Sequence, residues 1–242
     1  MILKYINSLK KDELIRGSFI LFIMINIFNV LNYIYHFSMA RLLGPSDYGI
    51  LAVLFSFVYI FSIPSESIQN IVAAYTSKFS SKKQEGKIKY LFLKSIRKGF
   101  LFSLFLFLVY IPFAYIISII IKINFLLLII TGSFIFLFTF IPISRGIMQG
   151  KKKFAFLGMN MIVEGIFKVG LALFFVFIGW KVFGAITGVI IAVGLSFLVG
   201  LFFIRDILKS KKEKISFEGM YSYSIPYFFA IISIVLIYSL DT

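Results

Sequence analysis

The sequence predicts an all-α fold, a polytopic membrane helical bundle. Three observations lead there. Apolar runs of about 20 residues or more recur along the chain, the length a helix needs to cross a hydrocarbon core of ~30 Å. The composition is 60% hydrophobic, with a mean hydropathy of +1.00 and 32 Phe among 242 residues, more apolar surface than a domain in water can hide. The basic residues fall in short blocks between the runs, so the net charge of +15 is a topology signal and not a nucleic-acid groove. Helices are required because backbone groups in lipid must pair within their own segment or in a closed barrel. Barrel strands would show short alternating runs, which this chain lacks.

Seven spans follow in order: 17–40, 48–75, 99–121, 123–143, 154–179, 182–204 and 225–240. The first comes after a mixed-charge segment, 1–16, and is 24 residues long, beyond the apolar core of a signal peptide. It ends at Arg41-Leu42-Leu43-Gly44-Pro45-Ser46-Asp47-Tyr48-Gly49. There Gly44 can adopt a left-handed conformation, Pro45 cannot continue a helix, and Ser46 or Asp47 can cap the next one. The second span contains Pro64, expected to kink it, and Glu66 near its inner end. A basic connection from Ser77 to Lys98 is expected to lie along an anionic leaflet. The third and fourth spans meet at Lys122-Ile123-Asn124, and the fifth and sixth at Trp180-Lys181. Turns this short make consecutive helices antiparallel neighbours. The sixth span carries Gly184, Gly188, Ala192, Ser196 and Gly200, a small residue at every fourth position, which marks a seam where another backbone packs closely.

Orientation follows from the charge asymmetry. The N-terminal segment and the second, fourth and sixth connections hold 21 basic residues, the other side holds Arg41, Lys122 and Lys181, and Lys168 lies within a span. This predicts a cytoplasmic N-terminus in a multi-pass protein of the cytoplasmic membrane, in contact with membrane lipids.

Polar residues inside the spans are the candidate functional residues, because burying them in lipid is costly. In the first span Asn26, Asn29, Asn32, Tyr33 and His36 fall within an arc of about 120° at ~100° per residue. They form a stripe running outward to Arg41, which reads as interhelical hydrogen bonding or as one wall of a hydrophilic cavity. In the fifth span Glu164 lies about 15 Å deep and Lys168 follows four residues on, the favourable order for an ion pair. A lone charge there costs at least ~2.5 kcal/mol, so the two are expected to pair or to face water. Glu66 is a further candidate for the same cavity. With no Cys and a single His there is no thiol chemistry, disulfide framework or histidine cluster. No metal-ligand spacing, phosphate-cradling loop or catalytic constellation is present, so neither an enzyme nor a cofactor is expected.

Two motifs carry a resemblance. Arg41-Leu42-Leu43-Gly44-Pro45-Ser46-Asp47-Tyr48-Gly49 and Ser144-Arg145-Gly146-Ile147-Met148-Gln149-Gly150, followed by Lys151-Lys152-Lys153-Phe154, are similar to the loops after spans one and four of one family. That family is the polysaccharide-transport branch of the multidrug/oligosaccharidyl-lipid/polysaccharide exporter superfamily. The resemblance covers the whole chain. It implies a flippase for lipid-linked oligosaccharide working by alternating access, with Arg41 a candidate for the anionic head group and the asparagines, His36, Glu164 and Lys168 along the path. It also implies two similar lobes, so that 1–216 is expected to be a six-span N-terminal lobe and 217–242 the start of a second. The chain is then expected to be a fragment whose partner is a further C-terminal lobe. Two alternatives stand beside this: a drug or cation exporter of the same superfamily, and a non-transporting scaffold for glycan-assembly enzymes.

Overall fold

The computed structural model describes residues 2–214, with side chains from Ile15 onward. The expected seventh span lies outside the described residues. Those described form helices and turns, with no strand among them: α1 (Ile2–Ser80), α2 (Glu85–Ile121), α3 (Phe125–Gly132), α4 (Phe134–Gly150), α5 (Phe154–Phe175), a π-helical turn (Val176–Trp180), α6 (Lys181–Phe203) and α7 (Arg205–Lys209).

Among the described residues four helical stretches are long and apolar enough to cross a membrane, and two of them fold back on themselves. α1 breaks at Gly44, whose φ of 74° and ψ of 174° lie in a region essentially only glycine occupies. The hairpin is proved by its contacts: the rings of Tyr35 and Phe55, 20 residues apart, meet at 5.7 Å. α5 reverses into α6 at Gly179, φ 97°, and Lys181, φ 47°. Between α2 and α3, Lys122 takes the left-handed conformation and the Asn124 side-chain Oδ1 accepts from the Leu126 N–H at 2.8 Å. Six membrane-crossing segments result: the two arms of α1, then α2, α3 with α4, α5 and α6.

Two helices run beyond the apolar spans. The basic connection 77–98 is helical except for its turn. α1 runs to Ser80, the turn occupies four residues, and α2 starts at Glu85. At 37 residues, or about 55 Å, α2 outlasts the bilayer and carries its basic turns beyond it. That extension is tied to the chain after α7, where Glu213 N–H donates to Gly86 O at 3.2 Å and Lys89 Nζ to Ser210 O at 2.9 Å. The fourth span also does not stop near residue 143, because helical structure continues to Gly150.

That longer α4 explains its motif. A Cβ on Gly146 would lie 2.6 Å from Gln69 O, so the missing side chain is what lets α4 press against the second arm of α1. Gly150, one turn on, makes the same approach, and between them Gln69 Nε2 donates to Gln149 Oε1 at 2.8 Å. The α6 row Gly184, Gly188, Ala192, Ser196 and Gly200 is buried, with Gly188 set against the backbone of α5 at Ala172. The apolar core forms two clusters. One, toward the Gly44 end, is built on Tyr35, Leu54, Phe134 and Ile186; the other, toward the basic end, on Val72, Leu91, Ile147 and Ile204.

Candidate functional site

Polar side chains lie between the two core clusters along α5 and α6. Arg145 is the hub. Its Nη2 donates to Glu164 Oε2 at 2.6 Å and to Ser196 Oγ at 3.3 Å, and its Nε donates to Asn160 Oδ1 at 2.9 Å. Asn160 Nδ2 in turn donates to Ser196 O at 2.6 Å. α4, α5 and α6 are thus laced by a network whose planar guanidinium fork satisfies two acceptors of α5 at once. Arg145, expected in the loop after span four, is carried into the bundle by α4, and of the two expectations for Glu164 and Lys168 the direct pairing is corrected: the guanidinium takes the carboxylate, while both residues line one cavity.

Lys168, one turn from Glu164, points elsewhere. Its Nζ donates to Asn32 Oδ1 at 2.8 Å and sits over the rings of Tyr35, at 4.5 Å, and Phe55, at 5.1 Å. Those π-faces and one amide oxygen supply partial negative charge, which shelters a buried ammonium without neutralising it. Lys168 and Asn32 both line a cavity of about 380 Å³ between the first arm of α1, its second arm, α4, α5 and α6. Asn29, Tyr33, His36 and Glu164 line it too. At its rim the Tyr48 hydroxyl lies 3.4 Å from His36 Nδ1.

The structure therefore gathers Asn29, Asn32, His36, Glu164 and Lys168 around one space. It does not gather Asn26, Arg41 or Glu66 there. Asn26 Nδ2 turns back to its own helix, donating to Phe22 O at 2.8 Å, and its face borders an apolar groove on the outside of α1. The Arg41 guanidinium stacks over Phe37, one turn earlier, at 4.4 Å. Glu66 is exposed on the second arm of α1. Three residues of the network are not candidates by sequence. Asn160 carries a signal, since it precedes Glu164 by four and shares its face. Ser196 reads as one small residue of the α6 row, and Arg145 as a basic residue of the motif after span four. Among the described residues no three His, Asp or Glu side chains come together as a metal site requires.

Glu164 is matched by Arg145, and among the described residues no carboxylate lies within ion-pair distance of Lys168. The cavity wall thus carries one carboxylate, held by Arg145, and one ammonium, one turn apart on α5.

Comparisons with known proteins bear on this arrangement. A family model described as "Polysaccharide biosynthesis protein" matches residues 14–242. No curated protein matches. Among solved structures, the chain is similar to a MOP superfamily transporter from Pyrococcus furiosus, described as having a binding pocket of reverse polarity, at 15% identity and a TM-score of 0.75, over 93% of this chain and 54% of that one. It is also similar to a MATE protein in complex with MaD5, at 13% identity and a TM-score of 0.77, over 93% and 55% of the two chains. An outward-facing multidrug resistance MATE family transporter gives 14% identity and a TM-score of 0.76, over 93% and 54%. These likenesses show a shared fold, that of membrane transporters, and this chain spans about half the length of each.

Proposed function

The chain belongs to the polysaccharide biosynthesis protein family, and on that premise we propose that it supplies one half of a flippase for lipid-linked oligosaccharide. The whole would work by alternating access with a second lobe, in the cytoplasmic membrane and with the N-terminus inside. The observation that carries this reading is the unmatched ammonium of Lys168 beside the amides of Asn29 and Asn32. An ammonium binds phosphate oxygens as a point charge, and side-chain amides both donate to and accept from sugar hydroxyls. A drug or cation exporter is disfavoured by the same charge, because a fixed cation in the wall repels cationic cargo. In this reading the saccharide and its phosphate pass through the polar cavity while the lipid tail stays in the bilayer. Glycan-assembly enzymes are natural neighbours of such a flippase.

The test is complementation of a strain lacking its lipid-linked oligosaccharide flippase, with the chain expressed together with a second lobe. Rescue is expected, with loss of about tenfold or more of surface polysaccharide in Lys168→Gln, where the positive charge is removed. Asn26→Ala and Glu66→Gln, both outside the cavity, should rescue as the parent does. A well-expressed pair that rescues no host with a matched sugar would favour a scaffold of glycan-assembly enzymes. Rescue undiminished by Lys168→Gln would keep transport and remove this cavity from its path.

A further inference from the structure

The basic end of the bundle contains a second cavity, of about 700 Å³, that the central one does not explain. Three pieces of chain far apart in sequence enclose it: α1 around Arg16 to Ile20, the end of α1 around Ser77 to Ser81, and the turn from α4 into α5. Its wall includes four cations, Arg16, Lys151, Lys152 and Lys153, with the hydroxyl-bearing residues Ser77, Ser80 and Ser81 and, among the described residues, no acidic one.

The four cations are not equivalent. Lys151 is ion-paired to Glu85, and Lys153 lies 3.5 Å from Asp206. Arg16 and Lys152 are exposed and have no ion-pair partner among the described residues. Lys152 is also held in place. Its φ is 58°, and the turn is closed by its N–H donating to Gln149 O and the Lys153 N–H to Met148 O, each at 2.9 Å. Ile20 and Phe154 bring apolar surface to the same wall. A space with two cations that have no ion-pair partner among the described residues, several hydroxyl-bearing residues and an apolar side matches an amphiphile whose head is a phosphate. Such a head carries about −1.5 to −2 charges and several strong acceptor oxygens. Arg can clamp two of those oxygens and Lys a third.

We propose that this cavity is a phosphate-headgroup site, filled by an anionic amphiphile entering from the adjoining leaflet, with Arg16 and Lys152 as its two charge contacts. The site stands on its own wall and holds whatever the central cavity carries.

Native mass spectrometry of the purified 242-residue chain, released from detergent containing dioleoyl phosphatidic acid, tests it. One retained lipid per chain is expected. Retention should weaken at least tenfold in Arg16→Gln/Lys152→Gln and persist in the charge-conserving Arg16→Lys/Lys152→Arg. It should also persist in Lys209→Gln/Lys211→Gln, which removes two exposed charges from the same end but outside the cavity. Competition by inorganic pyrophosphate would assign the site to the phosphate group alone; resistance to it would assign the site to the whole amphiphile. Equal weakening in the two neutralising double variants would overturn the proposal, because it would show a diffuse basic surface. So would a parent chain that retains no lipid.

Discussion

At the scale of single residues, the contrast between Arg145 and Lys168 governs the interior. Both are cations placed among apolar helices, but one is matched and the other is not. Removing Arg145 strands the Glu164 carboxylate, whose side chain is 12% exposed, and the loss of a buried partner costs about 3–5 kcal/mol. Arg145→Met should therefore unfold at markedly lower denaturant or temperature in detergent. The double variant Arg145→Met/Glu164→Leu should recover much of that loss, since it strands neither partner of the pair. A double variant no more stable than Arg145→Met would show that the pair is not coupled. The pairing itself was only half legible in the sequence. Spacing correctly places Glu164 and Lys168 on one face of α5, yet it reports only partners on the same helix. The decisive partner comes from α4, and its lateral approach is set by packing.

At the scale of elements, the turns were readable and the helix lengths were not. Gly44-Pro45, Lys122-Ile123-Asn124 and Trp180-Lys181 all mark reversals that the backbone makes, because glycine, proline and a capping asparagine act locally. Where α4 ends could not be read that way. Helical structure continues past the apolar run because Gly146 and Gly150 pack on α1, a tertiary cause. That contact yields a paired prediction. Gly146→Ala puts a Cβ 2.6 Å from Gln69 O, an overpacking that should cost about 1–3 kcal/mol. Gly170→Ala, where nothing lies within 4 Å, should be neutral or stabilising by up to about 1 kcal/mol. Thermal unfolding of the two variants side by side in one detergent checks the difference, and equal midpoints would refute close α1–α4 packing at Gly146.

At the scale of the whole molecule, the chain has no cysteine, so orientation can be measured on single-cysteine variants without background. Ser46→Cys, in the Gly44 turn, should react with a membrane-impermeant maleimide on intact cells. Lys82→Cys, in the turn before α2, should react only after permeabilisation; the reverse pattern would invert the charge-based topology. The charge asymmetry survives the loss of Arg145 to the interior, since so many basic residues remain on that side. One contact described above ties architecture to kinetics. The bond from Lys168 to Asn32 joins α5 to the first arm of α1, and in the proposed reading Asn32 Oδ1 holds the place that a substrate oxygen would take. An oxygen that displaces it exchanges one acceptor for another, so the ammonium is never stripped bare in lipid. On the proposed function such an exchange would remove the Lys168–Asn32 bond, while the close packing of Gly158 on Met24 and of Gly165 on Leu31 still holds the α1 arm to α5.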